Sequence, residues 1–143
     1  MKTLKNLFLL ILLTSISGSV LAIDASDVIK ATPILKTQDT WYGQEIIYPE
    51  GKAEMTGVVI EMAPGGETGW HMHPVPSVGY VEEGEIEVHF KNGDIKHLKT
   101  GESAAEAVNV YHNGRNVGDV PVKLVIFYVG TPGIKLTVRE GEE

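Results

Sequence analysis

From Met55 onward apolar and polar positions alternate with a period of two. Val58, Ile60 and Met62 alternate with Val59 and Glu61, as in a strand with one buried face. Pro64-Gly65-Gly66 interrupts the pattern. Gly69 to His73 reads as a short strand, ended by Pro74-Val75-Pro76, because proline is confined to strand ends and bulges. The pattern resumes at Gly79-Tyr80-Val81, turns at Glu83-Gly84, and continues with Ile86, Val88 and Phe90 against Glu85, Glu87 and His89. Asn92-Gly93 marks a hairpin whose turn needs positive φ. Ile95 and Leu98 follow, then a turn at Thr100-Gly101 and a run from Ser103 to Val110 that reaches His112. Beyond the turns at Asn113-Gly114 and Val117-Gly118-Asp119, Val122 to Val129 reads as a long strand buried on both faces. Thr131-Pro132-Gly133 ends it, and Ile134 to Val138 suits a last strand. No window from Met55 onward carries a helical period. Many short strands separated by turn signals predict an all-β sandwich or barrel, here one small β-barrel over residues 51–143.

The first 50 residues follow other rules. Lys2 and Lys5 precede an apolar run from Leu7 to Leu13, then Ser15, Ser17 and Ser19 lead to Val20-Leu21-Ala22. A basic start, a short apolar centre and a small-residue cleavage pattern describe a secretory signal peptide over residues 1–22. The run is short of the roughly 20 residues that span a bilayer. The mature protein is therefore expected to be secreted or periplasmic, with no stable membrane anchor after cleavage. Residues 23–50 form an N-terminal segment of mixed polarity. Pro33 opposes a helix there, Val28-Ile29 and Ile34-Leu35 each suit a brief strand, and Trp41-Tyr42-Gly43 and Ile46-Ile47-Tyr48-Pro49 read as extended.

Charge and composition narrow the chemistry. The formal charge is −7, and cleavage after Ala22 removes two lysines to leave −9, 10 basic against 19 acidic residues. Such a chain has no electrostatic footprint for nucleic acid. It contains no cysteine, which excludes disulfides, thiolate metal sites and cysteine nucleophiles together. A metal must then be held by histidine, carboxylate, water or neutral oxygen.

Two of the five histidines stand two apart, His71 and His73. Side chains at i and i+2 of a strand project to the same face, and imidazole is the commonest ligand for transition metals. If both point into the barrel, Trp70 and Met72 point out and need cover, since exposed apolar patches mark interfaces. That cover is either the N-terminal segment or a second subunit.

The spacing around these histidines resembles the cupin family. Gly65, His71-Met72-His73 and Gly84 fall at the places of the first cupin motif, and Gly101, His112 and Asn116 at those of the second. The resemblance implies a double-stranded β-helix, or jelly-roll, barrel. It also implies a divalent metal (Fe, Mn, Ni, Cu or Zn) held by His71, His73 and His112, and a homodimer. The chain departs from the motifs in three places. The glutamate of the first motif falls at Ser77 or Val78, Ala107 replaces a proline, and Asn109 replaces a glycine. The last two changes are expected to alter a turn without removing a ligand. The first removes a ligand, and Glu106, or alternatively Glu82, is the candidate to supply a fourth.

The remaining candidates read as structural. His89 and His97 belong to a hairpin surface, and Glu82-Glu83 and the acidic tail from Glu140 to Glu143 to a solvated one. Tyr80, Tyr111 and Phe127 suit core or pocket lining, and Asn116 a turn held by its side chain. Two functions fit. One is an exported metal-dependent enzyme, of oxygenase type on a small organic compound, with the metal as Lewis acid or dioxygen site. The other is a module that binds a small ligand or a metal without turnover, because fold does not dictate function.

Overall fold

The computed structural model describes residues 29–142; the signal peptide expected over residues 1–22 lies outside them. Nine strands are present among the described residues: β1 (Glu54–Met62), β2 (His71–Met72), β3 (Ser77–Glu83), β4 (Glu85–Phe90), β5 (Ile95–Lys99), β6 (Ser103–Ala105), β7 (His112–Arg115), β8 (Val122–Gly130) and β9 (Val138–Arg139). They form two antiparallel sheets, ordered β1-β8-β3-β6 and β5-β4-β7-β2-β9. No helix among the described residues is long and apolar enough to cross a membrane.

Alternation places the core between the sheets. Met62 on β1, Val81 on β3, Ile86, Val88 and Phe90 on β4, and Val122, Leu124, Ile126 and Tyr128 on β8 are all buried. Burying one such aliphatic side chain contributes roughly 1.5–3 kcal/mol. β8 obeys the same period, so its expected burial on both faces is not found. Phe127 is 49 % exposed on the outer face, where it pairs with Gly57 and Val78 on the flanking strands. A Cβ on Gly57 would come within 2.9 Å of the Phe127 ring, so the bare backbone there gives the ring its seat. Phe127 therefore lines neither core nor pocket.

The β4–β5 hairpin forms as expected, with a different turn. Gly93 alone takes positive φ (92°), the Gly93 N–H donates to the Phe90 carbonyl and the Phe90 N–H to the Asp94 carbonyl. A four-residue loop closing on one left-handed glycine replaces the two-residue turn. Asn109 also corrects an expectation. It holds φ at 56°, the one non-glycine positive φ among the described residues. Asparagine tolerates this region better than other side chains, so the turn keeps the conformation that glycine would give it. Asn116 does fix a turn, with its amide donating to the Met62 and Val120 carbonyls at 2.9 and 2.8 Å.

The segment before β1 differs from its reading. Ile34-Leu35 is not a strand, and Trp41-Tyr42-Gly43 is a turn between the paired residues Asp39 and Glu45. Trp41 packs edge-on against Phe90, with ring centroids 6.1 Å apart. The Gln44 side-chain amide donates to the Val108 carbonyl at 2.9 Å and accepts from the Val108 N–H at 3.0 Å, as a neighbouring strand would. Val108 in turn bridges His73. Beside β2 and β4, Lys91 Nζ lies 3.9 Å from the Trp70 ring centroid, a cation–π contact that covers part of Trp70 within the chain. Ile134 onward pairs only at Val138–Arg139, against β2.

The left-handed turn offers a check on this framework. Asn109→Gly is expected to leave stability within about 0.5 kcal/mol, while Asn109→Val costs about 1–2 kcal/mol, measured by urea denaturation.

Candidate metal centre

His71 and His112 are directly paired residues of neighbouring strands β2 and β7, and His73 lies two residues beyond His71 on the same face. The three rings converge inside the barrel, with centroids 4.5, 4.9 and 5.1 Å apart. All three are buried, at 9, 2 and 3 % exposure for His71, His73 and His112. One ring nitrogen from each lies within 4.8 Å of the other two. Atoms bound to one ion at about 2.1 Å stand roughly 3–4 Å apart, so small adjustments bring the trio to a common ion.

Backbone carbonyls decide which nitrogen faces inward. His71 Nδ1 lies 2.8 Å from the Gly69 carbonyl, His73 Nδ1 2.8 Å from Leu136, and His112 Nδ1 2.9 Å from Val110. A carbonyl only accepts, so each Nδ1 carries the hydrogen and each Nε2 is left with a lone pair. Metal-binding imidazoles are oriented in this way. Burial, the largest cause in each case, lowers all three pKa values below the ordinary 6.5. The trio is thus neutral and ready to ligate at neutral pH.

Glu106 approaches this site on its His73 side, outside the mutually close group of three nitrogens, and Glu82 does not approach it. Glu106 Oε2 lies 3.5 Å from His73 Nε2, with its side chain 12 % exposed. It accepts a 2.6 Å hydrogen bond from the hydroxyl of Ser77. Glu82 points outward to Lys123 at 3.1 Å. His89 and His97 stand at the β4–β5 surface, 2.7 and 3.3 Å from Glu87 carboxylate oxygens, and take no part in the trio. A carboxylate oxygen and an unprotonated nitrogen facing each other in a buried space are two acceptors without a hydrogen between them. That donor set fits a cation.

Two further residues were not singled out in the sequence. Tyr128 is 5 % exposed, its ring centroid 5.1 Å from that of His73. Burial first, and then the negative charge of Glu106, push its hydroxyl up to about 12, so it stays protonated and can donate a hydrogen bond. Arg139 stands at the mouth, its Nη1 3.1 Å from the Thr68 carbonyl. A cavity of about 430 Å³ that includes His71, His73, Tyr128, Thr137 and Arg139 among its walls opens two of the three histidines to the outside. The inward parity of β8 was the signal for Tyr128. Its pairing with Ser77, which sets it beside the histidines, was not readable before the strands were registered.

A jelly-roll barrel of two antiparallel sheets with a buried imidazole trio defines the class of this molecule. The Cupin domain family matches residues 58–128, and the chain belongs to the cupin superfamily. An uncharacterized conserved protein with a double-stranded beta-helix domain from Klebsiella pneumoniae subsp. pneumoniae MGH 78578 is 27 % identical, with a TM-score of 0.50 over 65 % of this chain and 88 % of that one. An oxalate oxidase in complex with the substrate analogue glycolate is 24 % identical, TM-score 0.50, over 59 % of this chain and 45 % of that one. A DMSP lyase from Ruegeria pomeroyi DSS-3 is 18 % identical, TM-score 0.52, over 62 % and 44 %. The last two likenesses concern the fold, and this chain spans less than half the length of either protein. No curated protein matches the chain.

The lowered histidine pKa values carry a consequence for the metal-free protein. The unfolded chain takes up protons on these histidines as pH falls through 6.5, whereas the folded chain takes them up only at lower pH. Folding stability of the metal-free protein is therefore full above 6.5 and falls as pH drops below it. Thermal melts of chelator-treated protein between pH 8 and pH 5 are expected to show this decline, and a H71N/H73N/H112N variant a shallower one.

Proposed function

We propose that this chain is an exported cupin that binds one divalent metal ion through Nε2 of His71, His73 and His112 and acts as an oxygenase-type enzyme on a small organic compound. The observation that carries the reading is the convergence of three buried imidazoles whose Nδ1 hydrogens are all taken by backbone carbonyls. Three neutral ligands leave a bound divalent ion its full positive charge, and the ion supplies Lewis acidity or, when redox-active, electron transfer. The protein's own residues do the rest. Val81, Phe90 and Ile126 keep the barrel interior dry, the protonated hydroxyl of Tyr128 is a donor to a compound entering the cavity, and Arg139 at the rim offers it a positive charge. The leader at residues 1–22 supports export to a secreted or periplasmic location.

The metal identity follows from elemental analysis of protein isolated from its own source, where about one ion per chain is expected. H71A/H112A should lose it. Oxygen uptake by metal-loaded protein against a panel of catechols, thiols and diketones tests the activity. Stoichiometric metal without oxygen consumption on any of them would replace the enzyme by a binding module, and no metal uptake by the wild-type chain would sink both.

The outer face of β1-β8-β3 suits a contact between two copies. Met55, Val59, Val78 and Phe127 are exposed on it, at 69, 58, 38 and 49 %, and a contiguous apolar patch of this kind marks an interface. The expected homodimer then forms through this sheet and not through the Trp70 side, which Lys91 covers in part. Sedimentation is expected to find a dimer that Phe127→Glu converts to a folded monomer. A monomeric wild type would contradict the pairing.

A further inference from the structure

The geometry points to Glu106 as a fourth protein ligand of the histidine site, presented by Ser77 as its positioning residue. The inference rests on the metal-binding reading above. Glu106 follows β6, and its N–H donates to the Ser77 carbonyl at 2.9 Å. This continues the β3–β6 register, Val78 with Ala105 and Gly79 with Ala104, by one residue. Residues paired across antiparallel strands share a face, so both side chains turn into the barrel.

Ser77 is 2 % exposed, and its hydroxyl has one heavy-atom partner there, Glu106 Oε2 at 2.6 Å. A separation that short belongs to a charge-assisted bond to a carboxylate. The same oxygen faces His73 Nε2 at 3.5 Å, whose hydrogen sits on the far nitrogen, held by Leu136. A carboxylate oxygen has two lone-pair directions. The Ser77 hydroxyl occupies one and leaves the other for the His73 side.

The resemblance to the first cupin motif places a glutamate at position 77 or 78 on β3, and of these two Ser77 is the buried one. In this chain position 77 holds a short hydroxyl, and the carboxylate arrives from the β6–β7 connection across the sheet. A fourth, anionic ligand lowers the charge left on the ion from two to one, which changes its preference among anionic and neutral compounds.

The test loads the full chain with Co(II) and reads both affinity, by competition with a chelating dye, and the visible absorption of the ion. The proteins are wild type, Glu106→Gln, Ser77→Ala and the double variant, with circular dichroism as the control for folding. Glu106→Gln is nearly isosteric and keeps an acceptor for Ser77. It is expected to weaken Co(II) binding on the order of 10–100-fold and to shift the absorption bands, with Ser77→Ala weakening it about tenfold. In the Glu106→Gln background the Ser77→Ala loss should vanish, as it does for a residue that acts only through another. Wild-type affinity or an unchanged spectrum in Glu106→Gln overturns the inference, as do additive losses, and all three leave the histidine site standing. A wild-type chain that takes up no Co(II) overturns the metal-binding reading itself.

Discussion

Each imidazole of the central trio donates its Nδ1 hydrogen to a backbone carbonyl, at 2.8–2.9 Å, and the rest of the site depends on that constraint. Gly69 and Val110 lie two residues before His71 and His112 on the same chain segments, so those two rings are oriented locally. His73 is held by Leu136, 63 residues away, in the chain that runs into β9. The pairing of β9 with β2 therefore orients a ring as well as closing a sheet. With the tautomers set, three lone pairs meet in a space too buried to hold them protonated, and lowered pKa values follow from desolvation.

A site of this kind stores an imbalance. Glu106 adds a carboxylate to three acceptor nitrogens, and the nearby donors, Ser77 and Tyr128, are neutral hydroxyls. Two acceptors at 3.5 Å in a low-dielectric interior repel unless a cation lies between them. Contacts around the site hold the arrangement in place. Gln44 mimics a strand against Val108, Val108 bridges His73, and Asn116 ties the chain after β7 to the end of β1. The segment before the barrel, which carried the weakest pattern in the sequence, thus supports the histidine side of the barrel through Gln44 and Trp41.

Alternation in the sequence assigned β1 and β4 their inward faces correctly, and the glycine-framed spacing selected the three histidines that meet. The same reasoning failed on β8. A run of apolar residues from Val122 to Val129 reads as doubly buried because composition does not reveal whether a second layer covers the outer face. Here nothing in the described chain covers Phe127. Turn chemistry was legible in its location but less so in its type, since in the β4–β5 turn Gly93 takes the left-handed conformation without Asn92, and Asn109 takes it where glycine was missing.

Local chemistry along the chain was enough to determine a small all-β barrel, the period of its strands and the imidazoles that share a face, because alternation and turn preference act between near neighbours. Which carboxylate stands beside them was decided only by tertiary structure. Glu106 and Ser77 are 29 residues apart, and they meet because β3 and β6 pair in one register out of several that alternation permits. The register of β3 with β8 likewise set Tyr128 next to His73, and Glu82 turns outward to Lys123. Those placements are properties of strand pairing, which depends on contacts across the whole sheet and leaves no local mark in the sequence.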